Sequence, residues 1–185
     1  MTTKTLIKKC QAGDPKAQKK LYDLYSGMVM FICSRYTNDS ESAKDIFQEA
    51  FIRIFESIVN TKKIDSLKNW VYTIAVRTSI DALRKKKLTL AEHNGDYDNV
   101  NTLTDDHLDI LDKLEYQEIM DVVRNMPDGY RLVFNLYLVE GYSHREIGEL
   151  LDISESTSRS QLTRSKQLLK KYLEEIGVRG YEKAV

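Results

Sequence analysis

The chain has 185 residues, 42% apolar and 30% charged, with 8 Gly and 2 Pro; this balance suits a globular protein and argues against a disordered, fibrous or turn-rich all-β chain. No apolar stretch approaches the ~20 residues that cross a bilayer, the segment MTTKTLIKKC shows no apolar secretory core, and two cysteines outside any CxxC spacing exclude a disulfide framework or a four-thiolate zinc site. The expectation is a cytoplasmic protein with no direct membrane insertion. Equal totals of 28 basic and 28 acidic residues hide a segregation: residues 1–88 hold 17 basic and 9 acidic side chains, a net +8, and residues 89–118 hold one lysine against 9 acids, a net −8. A basic block suits a polyanion, although a Lys-rich solvated surface has the same composition.

In chain order, Ala17, Leu21, Leu24, Tyr25, Met28, Phe31 and Ile32 recur at spacings of three and four, one stripe of a long helix. Asp14-Pro15 opens it with an N-cap and a first-turn proline. Asn38-Asp39-Ser40 breaks the chain, and Ala43, Ile46, Phe47, Ala50, Phe51, Ile54, Phe55 and Ile58 mark a second helix. A polar bend at 61–66 leads to a third, whose apolar set is Trp70, Val71, Ile74, Ala75, Ile80 and Leu83 and whose end is Arg84-Lys85-Lys86-Lys87. Residues 89–107 are acidic and rich in Asn, Gly, Asp and Thr without helical periodicity, which predicts a linker between domains 1–88 and 108–185.

Beyond the linker, Leu108, Leu111, Leu114, Ile119, Val122, Val123 and Met126 predict an amphipathic helix stopped by Pro127-Asp128-Gly129, and Leu132–Val139 a short apolar one. Ser143-x-x-Glu146 is a capping-box pattern. The fold class is therefore all-α, two small helical domains joined by a flexible acidic linker. Residues 143–173 predict a helix-turn-helix: Ile147-Gly148 places a small residue where helices cross, Ile153 plugs the turn, Ser154 caps the second helix, and Leu162, Leu169 and Leu173 are its buried side. Ser156, Arg159, Ser160, Thr163 and Arg164 lie away from that stripe. Short hydroxyl residues with two arginines suit a helix entering a major groove; an ordinary hairpin with a basic face is the plainer alternative.

Trp70, Tyr72, Arg77 and the Arg84–Lys87 run share a neighbourhood with Lys62 and Lys63. Aromatics beside cations grip unstacked single-stranded bases, but a tryptophan also anchors cores, and cations also complement a helix C-terminus. Both readings stay open. Asp45, Gln48 and Glu49 fall on the far side of the second helix, unexplained by its apolar stripe. His93, His107 and His144 are scattered, and HExxH, GxSxG and P-loop patterns are absent. No catalytic residue, metal or cofactor is expected. The alternative is a stand-alone helix-turn-helix regulator that binds duplex DNA by itself, usually as a dimer on paired half-sites.

SAKDIFQEAFIRIF, NWVYTIAVRTSIDALRKKK, the acidic linker and MPDGYRLVFNLYLVEGYSHREIGELLDISESTSRSQLTRSKQLLKKYL together resemble, over residues 14–175, an extracytoplasmic-function (ECF) RNA polymerase sigma factor of the sigma-70 family. The resemblance implies a dissociable polymerase subunit with regions 2 and 4, directing core RNA polymerase to promoters. It implies that Asp45, Gln48 and Glu49 dock on the β′ clamp helices, with the β subunit a further contact. It implies that the 61–66 bend, with Lys62 and Lys63, and the following helix, with Trp70, Arg77, Arg84, Lys85 and Lys86, read and open the −10 element. Arg77 stands where many members use an Asn against a flipped-out base, a departure at the position that selects that base. Arg159, Ser160, Thr163 and Arg164, beside Ser156, match −35-reading positions. Gln161 replaces a common Arg, implying a weaker phosphate contact, and Ser158 replaces a common Val, implying looser packing. An anti-sigma factor is the remaining expected partner.

Overall fold

Polar side chains at helix starts set the segmentation of the chain. The computed structural model describes residues 2–90 and 116–175, and every regular element among them is helical. Contacts divide the chain into two compact units, Met1–Lys87 and Leu88–Val185.

In the first unit, α1 (Thr3–Gln11) is capped by Thr2, whose hydroxyl accepts from the Thr5 amide at 3.3 Å. Gly13 then takes a left-handed φ of +75°, a conformation costly to any residue with a Cβ. Asp14 follows as N-cap, accepting from the Lys16 and Ala17 amides at 2.8 and 3.3 Å, and Pro15 enters α2 (Pro15–Tyr36) as predicted. Asp39 caps α3 (Ser40–Asn60) by accepting from the Ser42 amide at 2.7 Å. The 61–66 bend leads to α4 (Leu67–Leu90), which runs past the predicted stop at Lys87. The rest of the proposed 89–107 linker, from residue 91, and residues 108–115 of the predicted helix lie outside the described residues.

The core of this unit is apolar side chains of α2, α3 and α4: Leu21, Val29, Ile32, Ala50, Ile54, Ile58, Val71 and Ala75 are all fully buried. Each large one contributes about 1.5–3 kcal/mol. Burial pushes the Cys33 thiol up to about 11, against a weaker opposing hydrogen bond with Ser79. Arg35 is also interior; it lies over the Phe31 and Tyr36 rings and donates to the Tyr72 hydroxyl at 3.2 Å. Tyr72 therefore belongs to an internal network. Two outcomes differ from the sequence reading. Helix α1 was not anticipated, because Leu6 and Cys10 alone form its buried face. Leu24, on the predicted stripe, is 57% exposed.

In the second unit, α5 (Tyr116–Asn125), α6 (Asp128–Phe134) and α8 (Glu155–Glu175) build a core of Ile119, Met120, Val123, Met126, Phe134, Leu169 and Leu173, while α7 (His144–Leu151) packs on α8 and buries Ile147 and Leu151. The predicted helix over 132–139 is divided: α6 passes into a π turn, Asn135–Val139, closed by the Glu140 amide on the Asn135 carbonyl at 3.0 Å. The buried Asn135 amide donates to the Arg131 carbonyl at 3.0 Å, a side chain inserted into the ladder where its register changes. Arg131, 1% exposed, turns into the α5–α6 corner. Its Nη1 donates to the Arg124 and Met126 carbonyls at 2.9 and 2.7 Å, and its Nη2 pairs with Asp128. It thereby satisfies carbonyls that the end of α5 leaves open.

Candidate functional site

Asp45, Gln48 and Glu49 are all exposed, at the i, i+3, i+4 spacing that places them on one face of α3. The next position of that face, i+7, is Ile52, and it is 52% exposed. The sequence reading missed it, although an apolar residue completing a polar face was visible in the spacing. Beside this face lies a cleft of about 440 Å³ lined by Tyr22, Met30, Phe47, Phe51 and Phe55, and by Gln48 and Ile52 themselves. Its aromatic wall is close-packed, with Tyr22–Phe51 and Phe47–Phe51 centroids 4.7 and 5.0 Å apart. Glu49 is not a free carboxylate: Arg53 Nε donates to it at 2.8 Å while Arg53 Nη1 donates to Asp81 of α4 at 2.6 Å.

On α4, Trp70, Arg77 and Arg84 stand at i, i+7 and i+14, close to one line along the helix. Trp70 is half-buried and both arginines are exposed, so the indole meets the core and the surface at once. Lys62, Lys63 and Lys85 are exposed, Lys63 within 3.0 Å of Asp65. Lys86 belongs to α4, but its side chain is outside the described residues.

The second unit contains the predicted helix-turn-helix. Ser143 makes both bonds of a capping box, accepting from the Glu146 amide at 3.3 Å while its own amide donates to the Glu146 carboxylate at 2.8 Å. The Ser143 hydroxyl also donates to that carboxylate at 2.7 Å, and the two donations, first the hydroxyl's and then the amide's, hold the Glu146 carboxyl below its ordinary value. Asp152 closes α7 at a left-handed φ of +53°. Ser154 caps α8, accepting from the Thr157 amide at 3.0 Å. A Cβ on Gly148 would stand 2.8 Å from the Ile153 carbonyl oxygen and 3.7 Å from the Glu155 amide nitrogen, so the residue must be small where α7 meets the turn and the first residue of α8. Ile153 is half-buried, less than the plug expected of it. Gly148→Val therefore costs the second unit about 1–3 kcal/mol of stability by overpacking; thermal melting checks it, with the first unit's transition expected unchanged.

Arg159 and Ser156 are exposed on α8; Ser160, Thr163 and Arg164 are half-buried. Arg159 pairs with Glu155 one turn back. The Ser160 and Thr163 hydroxyls donate to the Thr157 and Arg159 carbonyls at 3.0 and 3.1 Å, so their lone pairs face outward until they turn. Arg164 Nη1 donates to the Tyr130 hydroxyl of α6 at 3.3 Å. Two expectations are corrected. Gln161 is 6% exposed and packs over Gly129, where a Cβ would approach its amide at 3.1 Å, so it is an interior residue and not a weakened phosphate contact. Ser158 is fully buried within 2.9 Å of His144 Nδ1, and that ring stacks on Tyr137 at 4.4 Å. A polar bond replaces the packing that a Val would supply.

Residues 21–89 match the model of Sigma-70 region 2, and residues 116–169 that of Sigma-70, region 4. The chain is 31% identical to the ECF RNA polymerase sigma factor SigW of Bacillus subtilis, covering 95% of this chain and 99% of that protein. It is 27% identical to the ECF RNA polymerase sigma-E factor of Haemophilus influenzae, covering 91% and 94%. A solved structure of the sigma factor RpoE in complex with the anti-sigma factor NepR from Bartonella quintana aligns with a TM-score of 0.48 and 16% identity, over 84% of this chain and 96% of that one.

Proposed function

The chain belongs to the ECF RNA polymerase sigma factors, and from that premise we propose that its two units divide the work of promoter recognition. The first unit docks on core RNA polymerase and handles the −10 element; the second reads the −35 element. The single observation that supports this most is the set of exposed faces: Asp45–Gln48–Glu49–Ile52 on α3, Trp70–Arg77–Arg84 on α4 and Ser156–Arg159 on α8. Asp45, Gln48, Ile52, Arg77, Arg84, Ser156 and Arg159 all lie outside the cores, and each face has the chemistry of its assigned partner.

On α3, two carboxylates and an amide flank an apolar cleft, a surface for the β′ clamp helices with the β subunit contributing further contacts. On α4, the half-exposed Trp70 stacks a base of the separated strand while Arg77 and Arg84, with Lys62, Lys63, Lys85 and Lys86, neutralise its phosphates. Stacking is worth ~1–3 kcal/mol per base. That energy offsets the cost of unpairing, so melting needs binding and no bond chemistry. On α8, Arg159 addresses a guanine edge or a phosphate. Ser156, Ser160 and Thr163 contact phosphates once their hydroxyls turn outward, and Arg164, braced on Tyr130, adds a further donor. The acidic stretch 89–107 tethers the two units and raises the effective concentration of one for its element when the other is bound. An anti-sigma factor is the partner that would hold the chain inactive.

Transcription in vitro tests the reading. Promoter-specific initiation by core polymerase is expected only when the chain is added, and initiation indifferent to it contradicts the reading. The comparisons favour this over a stand-alone regulator. Arg159→Ala is expected to weaken binding at the −35 side by about 1–3 kcal/mol, measured by holoenzyme gel shift, with core polymerase retention unchanged.

A further inference from the structure

Helix α1 and the start of α2 have no part in the surfaces assigned above. Residues 2–13 contain three lysines and no acid, and the carboxylate that follows, Asp14, is engaged as an N-cap. Lys4, Lys8 and Gln11 stand at i, i+4 and i+7, one side of α1. Gln11 fixes where that side faces: its Nε2 donates to the Thr61 carbonyl at 2.9 Å, at the first residue of the loop carrying Lys62 and Lys63. Lys4, Lys8, Lys62 and Lys63 are all exposed. Buried Leu6 and Cys10 on the opposite side, with the tight corner at Gly13, hold α1 in place.

We propose that Lys4 and Lys8, continuous with Lys62, form a sequence-independent phosphate-binding surface for promoter DNA beside the strand held by α4. This rests on the reading of the first unit given above. The chemistry separates DNA from other polyanions. Protein interfaces are anchored by aromatic, apolar or Arg side chains and depleted in Lys, and Lys4 and Lys8 have no exposed large apolar neighbour on α1. A membrane-surface helix turns its apolar side outward, whereas α1 turns Leu6 and Cys10 inward. Mobile ammonium groups on a rigid helix suit a phosphate backbone, which is read as charge.

The test uses holoenzyme made from core polymerase and the full chain. The probe is a promoter fragment selected from genomic DNA by retention on core polymerase only when the chain is present. Affinity is measured against salt for the wild type, for Lys4→Gln/Lys8→Gln and for a charge-matched control, Lys170→Gln/Lys171→Gln on α8. Each lost phosphate contact makes the log–log slope shallower by about 0.7–0.9, so the wild type should lose about tenfold more affinity than the α1 variant between about 50 and about 200 mM salt. That result, with core retention and the control slope unchanged, supports the proposal. An unchanged slope overturns it, as does an equal change in the control. Loss of core retention by the α1 variant also overturns it and reassigns the surface to polymerase. A wild-type chain that core polymerase does not retain at all overturns the underlying reading as well, and is told apart from the other failures by that first step.

Discussion

Replacing Arg131 by Ala is expected to unfold the second unit while leaving the first folded. The guanidinium is almost wholly buried, donates to the carbonyls of Arg124 and Met126 and pairs with Asp128. Removing it leaves two carbonyls at the end of α5 without these donors and opens a cavity under α6. Leaving a buried polar group without its partner costs about 1–3 kcal/mol for each carbonyl, together a large share of what a unit of this size has to lose. Arg131→Lys is not expected to rescue, because one ammonium cannot reproduce the planar fork that spans both carbonyls and the carboxylate. Urea unfolding followed by circular dichroism should change from near-coincident transitions to two, the earlier one belonging to the second unit. An unshifted curve would show that the corner is held by something other than this side chain.

Reversing charge on the outer face of α3 should act in the opposite way, sparing stability and abolishing assembly. Asp45 and Gln48 are exposed, so Asp45→Lys/Gln48→Ala should melt within about 0.5 kcal/mol of the wild type. If this face docks on polymerase, the double change removes central contacts worth about 2 kcal/mol or more, roughly thirtyfold in affinity. Co-purification with core polymerase measures it, and undiminished recovery would refute the assignment. Glu49 is the poorer choice of site. It shares Arg53 with Asp81, so a lysine there would also repel Arg53 and disturb the α3–α4 contact, mixing two effects. Ile52→Lys, on the same face, tests the apolar part of the surface without touching that pair.

Local chemistry made much of this protein legible. Asp14-Pro15, the Ser143–Glu146 box and Ser154 are recognisable because each acts within four residues of itself, and each is found capping the helix it announces. The features missed depend on partners far along the chain. Helix α1 has too few apolar residues to show a stripe, and its place is fixed by packing and by Gln11 reaching Thr61. The π turn follows from Asn135 being drawn inside, which composition does not announce. Leu24 lies on the expected stripe and is nonetheless exposed, because periodicity gives an angle but not the width of the contact. Ser158 and Gln161 share the angular sector of Leu162, so their direction was readable. Their hydrophilic character pointed outward instead, and His144, the partner that explains Ser158, is fourteen positions away. Trp70, left between core and surface by its sequence, stands astride both.

The inner side of α8 has a mechanical consequence. Ser158, Gln161 and Ser165 alternate with Leu162 and Leu169 beneath it. An oily seat lets a cylinder roll, since one methyl substitutes for another at little loss. Hydrogen bonds depend steeply on angle, and the imidazole of His144 behind Ser158 admits only a narrow range of headings. The bond from Ser158 to His144 therefore holds α8 against rolling about its own axis, and with it the heading of the neighbouring Arg159.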